Sequence, residues 1–393
     1  MTAEEKYFVS LISSFLNSRK PEKPKGIDWN EIYRLSEIHN VSAIVANQTG
    51  RLSDEEKPDK NLYSIFRQQI GYTIMNYDEK MKAYDELRQL LTDNDIDYIF
   101  VKGIILNKFY PVKEFRTSGD IDVIIRDDDF EMFKKIVIEK GLKDSDDSTV
   151  CACFNIGNIF IEAHSSIHCD HEYFKNIFEI AEKGDDRNEY VLSLENHLLY
   201  VLCHIVNHFR KYGAGIRMFM DVDVILRQIN GSLDYEKFFS LCRELNIESF
   251  VKYTFSLCRN WFNTPVKIDF DISENKAVKD MFEKEILSGG SFGYERRSLS
   301  DYYVSMAVGQ NEKNGFKSKV KAFFHLLFPK KEYLYEGAPY ASRHHILLPI
   351  AWLHRLYKGI FVRGGHSVST VKGIINSDEE IVEYKKLLKE LDI

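Results

Sequence analysis

The hydrophobic pattern of this 393-residue chain changes period twice, and those two changes leave little freedom in the fold. From Glu5 to Leu91 apolar residues recur at helical spacing, broken at KPEKPKG (Lys20 to Gly26), whose prolines and charges mark an exposed loop. Asp28 is placed as an N-cap ahead of a stripe of Trp29, Ile32, Leu35 and Ile38 on one helical face. At Ile96 the pattern shortens to IDYIFV, an apolar and β-branched run bounded by Asp95 and Gly103, as a buried strand requires. Helical spacing returns at Leu194 and continues through HLLYVLCHIVNHF, YEKFFSLCREL and FVKYTFSLCRNWF. The expected architecture is α+β, with a small mixed-sheet core (residues 94–192) between an N-terminal helical region (1–93) and a C-terminal helical region (193–393).

Within the core, DIDVII (Asp120 to Ile125) reads as a second strand. An N-cap at Asp127 and an amphipathic helix to Glu139 follow, stopped by Gly141. Further strands are expected at Val150 to Phe154 and Asn158 to His164, turning at Gly157, for a sheet of about four strands. The chain is 44% hydrophobic, enough to bury such cores without staples. Its six cysteines lack the paired spacing of zinc sites, which suits free thiols in a reduced, cytoplasmic setting. A net charge of −7 gives no global attraction to DNA or an anionic membrane, so any polyanion must find a local patch. Pro349, His354, Arg355 and Lys358 interrupt the longest apolar stretch, so no membrane span is expected. The alternating lysines of FKSKVKAFFHLLF (Phe316 to Phe328) read as the solvated side of a packed helix more readily than as a membrane-surface segment.

The chemistry gathers around VKGIILNKFYPVKEFRTSGDIDVII. Alternation on a strand puts Asp120 and Asp122 on one face, roughly 6 to 7 Å apart, with Ile121, Val123 and Ile125 on the other. Two carboxylates on one strand end are hard ligands at the reach required by paired Mg²⁺ ions, with Mn²⁺ as the alternative. Gly103 opens a helix start to an anion, Lys102 and Arg116 carry charge for phosphate oxygens, and Ser118 and Gly119 complete a loop leading into the aspartates. Each of these is unremarkable alone, as a turn glycine, a surface cation or a loop cap. Together they suit a metal-bound nucleoside triphosphate. In NIFIEAH the same alternation turns Phe160, Glu162 and His164 to one side, so Glu162 can serve as a metal ligand or proton acceptor, with His164 as its orienter or as the base.

In these motifs the chain resembles the bacterial family of uncharacterised nucleotidyltransferases, within the DNA polymerase beta-like superfamily. VKG matches its LKG-like strand end, FYP its l-Y-P element, RTSGDIDVII its R-x-x-D-I-D core and IEAH its later E-h-H strand. HLLYVLCHIVNHF with IRMFMDVDVIL, then LLFPKKEYL and LLPIAWLHRL, extend the resemblance along the chain. It implies transfer of a nucleoside monophosphate from an NTP to an acceptor, with Asp120 and Asp122 as metal ligands and Glu162 as third carboxylate. One position departs: better-characterised superfamily members follow the first glycine with Ser or Gly, whereas Gly103 is followed by Ile104, and Lys102 and Ser118 are the candidate substitutes.

His197, His204 and His208 fall on one helical face, with Asp221 on the next segment, so a His/Asp metal phosphohydrolase is the competing class. The apolar company of Val201 and Ile205 favours a face that flanks the transferase cleft, with His204, His208, Arg217 and Asp221 as acceptor-pocket candidates and Arg217–Asp221 as a possible i, i+4 ion pair. A third class is a silent nucleotide- or protein-binding module. Nothing in the pattern selects the acceptor among a sugar, another small molecule, a protein side chain and an RNA end.

Overall fold

A computed structural model describes residues 1–142, 151–165, 172–211, 213–291, 324, 327–328, 347–357 and 380–393. Val150, Cys169 and most of Phe316–Phe328 lie outside them. Four helices lead: α1 (Ala3–Leu16), α2 (Trp29–Ile38), α3 (Ser42–Gly50) and the 34-residue α4 (Lys60–Asp93). Asp28 does cap α2, its side chain accepting from the Asn30 N–H. The sheet region then runs β1 (Tyr98–Val101), α5 (Gly103–Leu106), β2 (Asp120–Ile125), α6 (Asp127–Glu139), β3 (Cys151–Ile156), β4 (Ile159–Ser165), α7 (Ile177–Ile180), β5 (Ala181–Lys183) and β6 (Glu189–Leu192). Helices α8 (Leu194–Lys211), α9 (Ile216–Ile229), α10 (Tyr235–Glu244), α11 (Glu248–Phe262), α12 (Lys276–Ser288), α13 (Leu348–Tyr357) and α14 (Glu380–Glu390) complete the described elements. Among the described residues no helix is long and apolar enough to cross a membrane.

The sheet has six strands in the order β3-β4-β2-β1-β6-β5, where about four were expected. The additional pair, AEK and EYVL, is too short and too polar for alternation to reveal. It joins because β6 runs parallel to β1, pairing Tyr98 with Glu189. A second correction concerns α6: its N-cap is Arg126, and Asp127 is the first helical residue, its carboxylate accepting from the Ser165 hydroxyl of β4. Gly157 makes the β3–β4 turn at φ 58°, a left-handed conformation that glycine adopts without steric cost.

Over β1–β4 one face of the sheet is apolar but for Ser165 at the end of β4. Tyr98, Phe100, Ile121, Val123, Ile125, Ala152, Phe154, Ile161 and Ala163 pack against Ala83, Leu87 and Leu91 of α4 and Phe130, Phe133 and Val137 of α6. On the opposite face Ile99, Val101 and Ile124 join a larger core shared by α1–α3 and α8–α12. The N-terminal and C-terminal helices therefore meet: α1 packs on α11, and Asn17 donates to the Phe262 carbonyl at 2.8 Å. Apart from Phe160, the residues left on that second face of β2, β3 and β4 are polar or thiol-bearing: Asp120, Asp122, Cys151, Cys153, Asn155, Glu162 and His164.

Candidate active site

β2 and β4 run parallel with Asp122 opposite Glu162, while antiparallel β1 sets Val101 opposite Asp122. Residues directly across a ladder share a face, so the register turns the alternation of each strand into one cluster. Asp122, Glu162 and His164 each bring a ligand atom within 4.8 Å of the others. The His164 Nε2 lies 3.6 Å from Glu162 Oε2 and 3.8 Å from Asp122 Oδ1. Asp122 is buried at 4% side-chain exposure, whereas Glu162 keeps 33% and so forms the open side of the cluster.

Lys102 closes the other side, its Nζ 2.6 Å from Asp122 Oδ1. Burial opposes the Asp122 charge, but Lys102 and His164 outweigh it and hold this carboxyl well below the usual carboxylate range. The reverse holds at Asp120, where burial, followed by the nearby charge of Asp122, pushes the carboxyl up. Burial also works against a charge on His164, yet the carboxylates of Asp122 and Glu162 beside it raise the imidazole to about 9. Two aspartates that look equivalent in D-I-D are thus electrostatic opposites: one is firmly ionised, the other resists ionisation.

The strand end is held from several directions. Lys102 adopts φ 55°, ψ −130°, a strained conformation for a residue with a Cβ. It is fixed by its own N–H, which donates to the His197 Nε2 at 3.1 Å. Gly103 follows because no side chain fits: a Cβ there would meet Arg116 Nη1 at 2.1 Å and Ser118 Oγ at 3.0 Å. Arg116 is itself clamped, buried against Asp221 through Nε (3.2 Å) and Nη2 (2.7 Å), and the Tyr110 hydroxyl donates to the same carboxylate at 2.7 Å. Arg217 donates to the Thr117 carbonyl, so the ion pair of Asp221 runs to Arg116 and ties the loop before β2 to α9. Gly119, the last loop residue before β2, has open space where a Cβ would stand.

Lys80 is the site residue that sequence reasoning passed over. It lies on α4, 4% exposed, and donates to both the carbonyl and the hydroxyl of Ser118. Burial, then the neighbouring Arg116, lowers its ammonium to about 7, with Asp120 acting in the opposite direction. The signal was present: Phe66, Thr73, Lys80 and Leu87 repeat every seven residues along the buried stripe of α4, and a lysine in that stripe must have a partner.

The α8 histidines divide. His197 is buried and accepts the Lys102 N–H, and burial pushes it down to about 4, so it is a neutral hydrogen-bond acceptor. The His204 and His208 rings contact each other at 4.5 Å between centroids, and burial followed by the charge of Lys102 drives His204 well below its ordinary value. Among the described residues, the groups at ligating distance are those of β2 and β4. Asp221, the carboxylate a histidine centre on α8 would need, is engaged by Arg116 and Tyr110.

A mixed-sheet α+β fold sets two carboxylates and an imidazole on adjacent parallel strands beside the Gly103 strand end, and so defines a candidate cation site next to a candidate anion cradle. The chain belongs to the uncharacterised nucleotidyltransferase family, whose family model matches residues 25–263. That span runs from before α2 to the end of α11 and includes every residue of the site. No curated protein and no solved structure matched the chain. Family membership supports nucleotidyl transfer as the general activity.

Proposed function

We propose that the protein is a divalent-cation-dependent nucleotidyltransferase that moves a nucleoside monophosphate from an NTP to an acceptor hydroxyl and releases pyrophosphate. The observation that carries this is the pairing of Asp122 with Glu162 across parallel strands, with His164 completing a three-ligand cluster. The donor set suits the cation: two carboxylates offer hard oxygens for Mg²⁺ or Mn²⁺, and the imidazole, which gives up its proton to ligate, adds a nitrogen that Mn²⁺ accepts readily. When bound, the ion supplies charge neutralisation at the phosphate oxygens.

The remaining roles belong to the chain. Asp122, Glu162 and His164 would hold the cation, with Asp120 beside them on the same face of β2. Arg116 fills the place of a Gly103 side chain and Ser118 Oγ lies beside it, so the Ser118 hydroxyl, which donates to the Asp120 carbonyl at 3.3 Å, is the strand-end hydroxyl that Ile104 cannot supply. Gly119 leaves the backbone open to phosphates, Gly103 lets Arg116 and Ser118 close over the strand end, and Lys80 and Lys102 provide the nearby positive charge. Arg116, being clamped by Asp221, acts by fixing the loop as much as by its own charge. In the transfer itself the acceptor oxygen bonds to the α-phosphorus as the bond to the β-phosphate oxygen breaks, and its electron pair leaves with pyrophosphate. Glu162, the most exposed carboxylate of the cluster, is placed to take the acceptor's proton, and His164 to orient it. His204, His208, Arg217 and Asp221 border the acceptor side, where a sugar, another small molecule, a protein side chain or an RNA end would enter. Incubation with Mg²⁺ and each labelled NTP, together with a cell extract as acceptor source, tests the assignment. Pyrophosphate with a nucleotidylated product supports it; inorganic phosphate indicates the hydrolase class, and neither product indicates a silent binder.

A further inference from the structure

The polar face of the sheet carries two thiols that the transfer reaction does not use. Cys151 and Cys153 flank Ala152 on β3, so Ala152 points into the apolar core and both sulfurs point to the side of the cation site. Their partners across the ladder are the site residues themselves: Cys151 pairs with His164 and Cys153 with Glu162. The two Sγ atoms lie 3.3 Å apart, and both residues are only partly buried, within reach of a small oxidant.

We propose that Cys151 and Cys153 are a redox-modifiable dithiol, and that their oxidation to a disulfide disables the adjoining cation site. The oxidant is a low-molecular-weight disulfide. One cysteine thiolate attacks a sulfur of that disulfide and expels one small thiol. The second cysteine thiolate then displaces the other small thiol and closes the bridge. Two protons and two electrons leave the protein and appear in the two thiols released. Residues two apart on a strand have Cα atoms roughly 6.6 to 6.8 Å apart, the upper limit of what a disulfide spans, against a preferred 5.5 to 6 Å. Closing the bridge therefore puckers β3 at Ala152. That residue has 0% exposure and no slack beneath it, so the strain passes sideways into the Cys153–Glu162 and Cys151–His164 pairs. A bridge that bends its strand is also one that a dithiol reductant reopens.

The functional half of this inference rests on Asp122, Glu162 and His164 being a cation site; the covalent half does not. The whole chain is treated with glutathione disulfide, and the product is examined by peptide mapping and by Mn²⁺ titration before and after dithiothreitol. The expected results are a Cys151–Cys153 bridge, a mass loss of about 2 Da from two hydrogens, and Mn²⁺ affinity lowered at least about tenfold and restored on reduction, the scale of a lost supporting contact at a metal site. The Cys151→Ser/Cys153→Ser protein should bind Mn²⁺ as the reduced wild type does and ignore the oxidant. A bridge to Cys169 in place of the Cys151–Cys153 bridge, stable mixed disulfides at both cysteines, or a closed bridge with unchanged Mn²⁺ affinity each overturns the proposal. Reduced wild type that binds no Mn²⁺ defeats the cation-site assignment instead, and the mapped bridge separates the two failures.

Discussion

The two faces of the sheet are made by alternate residues of the same strands, yet they differ in almost every physical respect. Ile121, Val123, Ile161 and Ala163 are sealed against α4 and α6, while Asp122, Glu162 and His164, interleaved with them, gather within 4.8 Å of one another beside Asp120. The apolar face repays ordering the backbone through burial, worth about 1.5–3 kcal/mol for each large side chain. The polar face buries Asp122 and Lys102 against each other, which yields little net stability because desolvation offsets attraction. The comparison teaches that one face holds the strands in place so that the other can keep like charges together. Both faces can be tested separately.

The largest effect on stability belongs to the apolar face. Phe154 is 1% exposed and packs on Phe133 with ring centroids 6.0 Å apart. Phe154→Ala should cost about 3–5 kcal/mol in urea unfolding through the cavity it leaves. A loss below about 1 kcal/mol would mean that this face is not what holds the sheet.

Acid should reach the polar face through the helix that covers it. His197 is neutral in the fold and titrates at about 4, against 6.5 when unfolded. Its share of stability is therefore complete above pH 6.5 and is lost as pH falls toward 4, by about 3 kcal/mol in total at 1.36 kcal/mol per unit. His197→Gln should flatten that part of the pH–stability curve; an unchanged slope between these limits would contradict the assignment.

The polar face should then split its own two aspartates. Asp122→Asn leaves the Lys102 ammonium without its counter-ion and should destabilise the protein by about 1–3 kcal/mol. Asp120→Asn removes a carboxyl whose charge is disfavoured and should be neutral or stabilising, within about 0.5 kcal/mol of wild type or above it. Equal losses in the two variants would erase the distinction. Both should abolish turnover, so activity alone cannot separate them.

Gly103→Ala probes how tightly the strand end is built. The added methyl meets Arg116, which Asp221 prevents from moving aside, so a loss of about 1–3 kcal/mol in thermal or urea unfolding is expected. A fully stable Gly103→Ala protein would show that Arg116 is free to turn away.

Much of this division was legible before any coordinates. Alternation in DIDVII and NIFIEAH assigns each side chain to a face, because a strand offers two faces and the apolar residues claim one. Alternation says nothing of which strand lies beside which, so the Asp122–Glu162 register, on which the cluster depends, had to be seen. The difference between Asp120 and Asp122 was invisible for the same reason: it arises from Lys102 and His164, which are distant in sequence from one or both. Lys80 lies in a segment read only as helical, and its burial follows from the seven-residue repeat of the α4 stripe, which was not traced. The strands β5 and β6 escaped notice because three or four residues of mixed polarity carry no period.

The central claim is that the polar face is a single cation centre made by β2 and β4, and Mn²⁺ binding to wild type and Glu162→Gln, followed by electron paramagnetic resonance, addresses it directly. The exchange keeps the size of the side chain and removes its charge. The account predicts one tight Mn²⁺ site in wild type, weakened at least about tenfold in a Glu162→Gln protein that unfolds at the same urea concentration. Identical Mn²⁺ affinity in the two folded proteins would contradict it.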